Sequence, residues 1–189
     1  MDGHEAFIHK IKYFLNSKNL YEANNQLTIG LEKFPNQLHL LIIATEFYRA
    51  TNNRARSLEC AELLISHHPD NRNGYLLAAQ DLVALKRFDD AQKQIQAGLK
   101  RLPKDATLLT IAIDVFRKSN NCARSLECAE LLIIHHPQNW YGYVCAVQHL
   151  IALDRVNEAL NRSNLLKTVL TDINDFQLRV AYFLSLIHI

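Results

Sequence analysis

The chain has 189 residues, 49% of them hydrophobic and 21% charged, with a formal net charge of +2. This apolar fraction is ordinary for a folded protein and far from the polar composition of a disordered one. Basic residues are spread along the chain without a polybasic arm or basic face, so nucleic acid is not an expected partner.

The first residues, MDGHEAFIHK, lack the basic and apolar regions of a secretory signal. Uncharged apolar runs stay well short of the ~20 residues that span a bilayer, so the expected setting is cytoplasmic, with no membrane partner. The prolines then set the frame: Pro35, Pro69, Pro103 and Pro137 follow one another at a constant interval of 34, and Gly30/Gly98 and Gly74/Gly142 are offset by 68. Such a period marks an array of helical repeats. The blocks run 4–37, 38–71, 72–105, 106–139 and 140–173.

Within a block, apolar residues recur at helical spacing: Tyr75, Ala78, Ala79 and Leu82, then Ala91, Ile95 and Leu99 in block three, with Tyr143, Ala146, Val147, Leu150 and Ala159 in block five. Short polar turns split each block at 16–19, 51–53, 85–87, 119–121 and 153–155. Each proline closes the second helix, because it cannot continue one and pushes its predecessor out of the helical region. Asn36, Asp70, Asn71, Asp105 and Asn139 are the candidate caps of the following helices. Blocks two apart agree best. The stretches 52–71 and 120–139 differ only at 54/122, 66/134 and 70/138, so the duplicated unit is a pair of blocks, with a period of 68.

The pattern resembles the tetratricopeptide repeat, in its bacterial-type arrays, over about residues 4–173. The large residue of the first helix is Phe7, Leu41, Tyr75, Leu109 or Tyr143, and the residue closing it is Phe14, Tyr48, Leu82, Phe116 or Leu150. The small residue where the helices approach is Ala23, Ser57, Ala91, Ser125 or Ala159. The chain departs from the family in lacking the first-helix tryptophan and glycine, in Lys10, and in Thr171 where a fifth proline is due. The resemblance implies an all-α, right-handed superhelical solenoid of antiparallel helix pairs, a single array over 1–189 with a partial sixth block at 174–189. It also implies a concave face lined by first helices, where extended peptides lie. Counted from the resemblance, that face carries Lys12, Ile42, Glu46, Arg49, Leu76, Gln80, Asp114, Arg117, Tyr141, Val144 and Gln148. The lysines and asparagines of the family's carboxylate clamp are missing.

Candidate chemistry is sparse. His67–His68 and His135–His136 are adjacent rather than four apart, and they end helices, where histidine complements the dipole; a metal site is not expected. Ser57 and Ser125 read as small packing residues, and Cys60, Cys122, Cys128 and Cys145 as free thiols without the paired spacings of a zinc or disulfide framework. Glu46–Arg49 and Asp114–Arg117 are three apart, as intrahelical pairs or as contacts offered to a ligand. Trp140–Tyr141 replaces Arg72–Asn73, as packing or as an exposed anchor.

These residues point to a non-catalytic scaffold for a protein or peptide segment, without cofactor. The alternative is the helical arm of a larger bacterial enzyme, a glycosyl-, sulfo- or methyltransferase. The pattern drifts at Thr171 and breaks after Phe183, and the final LSLIHI resembles a sequencing-adapter read-through. The expectation is therefore a fragment of a longer array, self-associating through the uncovered Val180, Tyr182 and Phe183; a hydrophobic terminal cap is the alternative.

Overall fold

The computed structural model describes residues 3–172. They form α1 (Gly3–Asn16), α2 (Leu20–Lys33), α3 (Leu38–Ala50), α4 (Arg54–His67), α5 (Arg72–Ala84), α6 (Phe88–Arg101), α7 (Ala106–Lys118), α8 (Cys122–His135), α9 (Trp140–Ala152) and α10 (Val156–Asp172). There is no strand among the described residues, and the fold is an all-α helical repeat. The expected sixth block, with Val180, Tyr182 and Phe183, lies outside them. The chain divides into two compact units, Met1–Arg87 and Phe88–Ile189. The first contains α1 to α5 and the second α6 to α10.

Each short turn inside a block folds the second helix back along the first. The turn has one recurring form. Lys18, Asn52, Lys86, Asn120 and Asp154, one per block, all take a left-handed φ of 56° to 60°. The next residue's N–H then bonds a carbonyl five positions back, as in Asn53 N to Tyr48 O at 2.7 Å and Asn121 N to Phe116 O at 2.8 Å. This is a Schellman closure, which satisfies carbonyls the helix end would otherwise leave bare. Glycine usually takes this position, and the chain uses none there.

The following helix begins at once because Asn19, Asn53 and Asn121 accept from the N–H three positions on, capping α2, α4 and α8. Among the caps expected from the sequence, Asn71, Asp105 and Asn139 hold, but α3 is capped by Gln37 rather than Asn36, and α5 by Asn71 rather than Asp70. Gln37 is the 34-residue equivalent of Asn71, Asp105 and Asn139, and its side chain, one carbon longer than asparagine's, accepts from Leu40 N at 2.7 Å.

Second helices α2, α4, α6 and α8 each have 14 residues and stop just before the proline motif. Helix α10 has 17 residues and continues through Thr171, where no proline interrupts it.

In each unit the core is the strip where first and second helices meet. Helix α7 alone buries Leu108, Leu109, Ala112, Ile113, Val115 and Phe116, and each large side chain among these contributes roughly 1.5–3 kcal/mol. The close approach of α5 to α4 demands a glycine. A Cβ on Gly74 would stand 2.9 Å from Ile65 Cγ1 and 3.1 Å from the Ile65 backbone nitrogen. The expected small residues Ala23, Ser57, Ala91, Ser125 and Ala159 are all buried.

Candidate functional site

In the first unit, two of the expected face residues converge. Lys12 on α1 and Glu46 on α3 border a cleft of about 340 Å³, whose apolar wall is Leu15, Leu20, Ile43, Phe47 and Ala50. Both charged residues are exposed. Ile42, Leu76 and Gln80 are half-buried on α3 and α5, outside this lining.

Arg49 does not pair with Glu46 one turn away. Its Nε lies 3.3 Å from Asp81 Oδ1 on α5, and Arg54 Nη1 reaches the same oxygen at 2.7 Å. Asp81 has no solvent exposure, while the guanidinium side chains are 27% and 29% exposed. The other carboxylate oxygen, Oδ2, takes the hydroxyl of buried Ser57, which also lies 3.1 Å from Thr45 O. One carboxylate thus ties the end of α3, the start of α4 and the last turn of α5. Burying it is tolerable because each oxygen has a donor and the charge has two cations beside it.

The second unit repeats this seat with different chemistry. Ser125, equivalent to Ser57, donates to Ile113 O at 2.9 Å, and His149 stands where Asp81 does. His149 Nε2 lies 2.7 Å from Ser125 Oγ, and the residue is 4% exposed. Burial, and then the nearby Arg117, push the imidazole below its ordinary value of 6.5. Cys122 occupies the place of Arg54. The equivalent of Arg49, Arg117, pairs along its own helix with Asp114 at 2.6 Å, and the Tyr141 hydroxyl of α9 donates to the same Asp114 oxygen at 2.8 Å. Burial first, then Cys145 and Asp114, raise the Tyr141 phenol. Gln148 is half-buried and Val144 is buried at 8% exposure. Trp140 is half-buried and meets the Tyr141 ring edge-on, with centroids 6.0 Å apart.

Neither a family model nor a curated protein matches the sequence. Solved structures do match. MamA (41-end) from Desulfovibrio magneticus RS-1 superposes with a TM-score of 0.74 at 11% identity, over 93% of this chain and 99% of that one. A thermophilic tetratricopeptide protein of Thermus thermophilus gives 0.64 at 15% identity, over 98% and 100%. A tetratricopeptide repeat protein from Parabacteroides merdae gives 0.74 at 15% identity, over 90% of this chain and 68% of that one. The fold is the tetratricopeptide-repeat fold.

Within that tetratricopeptide fold the paired histidines act between blocks. His68 Nε2–H donates to Asn36 O at 2.7 Å, and His136 Nε2–H to Lys104 O at 2.6 Å, each reaching back one block to a carbonyl just past a helix-ending proline. His67 and His135 end their helices. Among the described residues, groups of three or more side chains able to hold a metal are absent. Cys60, Cys128 and Cys145 are buried, and burial pushes their thiols up to about 11, about 12 and about 11, which makes them poor nucleophiles. Cys122 is half-buried.

Sequence reasoning misses Asp81 and His149. A signal was present: position 54/122 is one of only three differences between the near-copies, and the block that follows changes from Asp to His in step. The two serines, read as small packing residues, are also the hydrogen-bonding centres of both seats.

Proposed function

We propose that this tetratricopeptide chain is a non-catalytic scaffold that holds an extended protein or peptide segment along the face of its first helices. The observation that carries this reading is the cleft between α1 and α3. Its volume is in the range of small binding pockets, its wall is apolar, and its rim has one charge of each sign in Lys12 and Glu46. An apolar side chain of the ligand would be desolvated against Leu15, Ile43 and Phe47, gaining roughly 1.5–3 kcal/mol. The rim charges would align its backbone or a polar neighbour. Ile42, Leu76 and Gln80 extend the first unit's face, and Asp114, Arg117, Tyr141 and Gln148 supply polar contacts in the second.

The buried seats have a complementary role. They fix α3 to α5, and α7 to α9, so that the face is preformed and a ligand is spared the cost of ordering it.

The test is selection of peptides from a randomised library on the full chain, followed by titration against Lys12→Ala/Glu46→Ala and Asp114→Ala/Arg117→Ala. Selected peptides should bind at least one of these double variants about tenfold more weakly, the scale of a lost interface contact. Equal binding to wild type and both variants, at unchanged circular dichroism, would overturn the reading.

A further inference from the structure

The two halves of the duplication solve one packing problem with two different proton inventories. In each, a serine on the second helix meets a polar residue 24 positions later on the next first helix, in a buried seat: Ser57 with Asp81, and Ser125 with His149. A serine hydroxyl has one proton to give. Carboxylate oxygens only accept, so the Ser57 proton goes to Asp81, whose other oxygen takes Arg49 and Arg54. The Ser125 proton goes to Ile113 O at 2.9 Å, which leaves the serine a lone pair. With that assignment the 2.7 Å contact is donated by the imidazole Nε2–H, so the neutral form is the Nε2–H tautomer and a second proton goes to Nδ1 without breaking this bond.

A second proton, on Nδ1, would meet no free carboxylate in this seat. From α7 the charged groups are Arg117, of the same sign, and Asp114, whose Oδ1 already takes Arg117 at 2.6 Å and Tyr141 at 2.8 Å. Helix α8 offers Ser125 and, in the place of Arg54, Cys122. On α9 itself, four and eight positions earlier on the same helical face, stand the Cys145 thiol and the Tyr141 phenol, both held in their neutral forms by burial. Just before α10, Arg155 is paired with Glu158 of that helix at 2.7 Å, and Arg162 of α10 with Glu130 of α8 at 2.6 Å.

We propose that the Ser125–His149 seat is a proton-operated latch between α8 and α9, closed while the imidazole is neutral and loosened when protonation places a charge without a counter-ion among buried groups. The first unit carries the same seat without the latch, because guanidinium groups do not titrate in this range. The direction follows from linkage. His149 binds its proton less readily folded than unfolded, because of burial and Arg117. The unfolded chain therefore binds more protons as pH falls through the ordinary imidazole value of 6.5. Stability from this seat is complete above that value and declines below it, until the folded imidazole is itself protonated.

Helices α4 and α5 provide an internal reference, since they are the equivalents of α8 and α9 one 68-residue unit earlier. Amide hydrogen exchange of the full chain, corrected for intrinsic rates, is compared at about pH 7.5 and about pH 5, which bracket imidazole titration. In the wild type, protection of α8 and α9 should fall relative to α4 and α5 at the lower pH. In His149→Gln, whose amide can still donate to Ser125, and in Cys122→Arg/His149→Asp, which rebuilds the first unit's seat, the ratio should hold constant. An unchanged ratio in the wild type would overturn the latch. So would the same pH-dependent loss in whichever of the two variants folds, as judged by its circular dichroism at the higher pH.

Discussion

Replacing Asp81 with alanine removes the one acceptor shared by Arg49, Arg54 and Ser57 from a site without solvent exposure. Three contributions set the cost. The vacated carboxylate leaves a small cavity in a packed strip, worth about 1 kcal/mol. Ser57 retains Thr45 O at 3.1 Å, so its hydroxyl is not orphaned and adds little. The two arginine side chains are 27% and 29% exposed, so their charges partly rehydrate. Their loss falls below the roughly 3–5 kcal/mol of a fully buried broken pair, at about 1–2 kcal/mol. The expected destabilisation is about 2–3 kcal/mol. Arg54→Ala alone should cost about 1 kcal/mol, and the double variant should be less than additive by about 1 kcal/mol, because the partners touch. Urea unfolding followed by circular dichroism is the first assay, since the single tryptophan, Trp140, belongs to the second unit. Hydrogen exchange over α4 and α5 localises the effect, because repeat arrays need not unfold in one step. An Asp81→Ala variant within about 0.5 kcal/mol of wild type, the ordinary scatter of surface substitutions, would refute this account. Strict additivity with Arg54→Ala would refute it equally.

Two further substitutions probe the geometry that positions the helices. Gly74→Ala places a Cβ 2.9 Å from Ile65 Cγ1 and 3.1 Å from a backbone nitrogen that cannot yield. Overpacking of about 1–3 kcal/mol should outweigh the ~1 kcal/mol of helix propensity gained, so the thermal midpoint should drop. Gly142→Ala, whose nearest contact is a side-chain atom at 3.2 Å, should be milder, and the reverse order would count against this reading. Lys86→Gly relieves a left-handed φ of 60° in a Schellman turn and should raise stability by up to about 1 kcal/mol in the same melts. A lower midpoint would mean that the entropy of glycine in the unfolded chain outweighs the strain.

The alternation of helix, turn and helix could be read directly from the residues because its causes are local. Proline cannot continue a helix beyond its first turn, so Pro35, Pro69, Pro103 and Pro137 mark the ends of α2, α4, α6 and α8, and its absence at Thr171 goes with a longer α10. Asparagine caps are local as well, and the misplacements, Asn36 for Gln37 and Asp70 beside Asn71, are by a single position. The candidate face was harder. Lys12 and Glu46 do share a cleft, but its apolar wall includes Ile43 rather than Ile42. Arg49 turns to a partner on the next first helix in preference to the glutamate one turn back. A charge three positions away on an exposed helix offers a few tenths of a kcal/mol, whereas a buried carboxylate must be neutralised by whichever cation can reach it.

The period of 34, the helix pairs and the doubling at 68 follow from the order of residues alone, since each depends on steric and hydrogen-bonding preferences that act within a few positions. Only the tertiary structure could show that Asp81 and His149 lie in the core, because a polar residue amid an apolar helix reads as solvent-facing until its partners are placed. Those partners sit on other helices, most of a block away along the chain, beyond the reach of helical periodicity. Packing brings them together. Desolvation then makes their donors, charges and protons decisive, and so gives two nearly identical stretches of sequence different chemistry at the same seat.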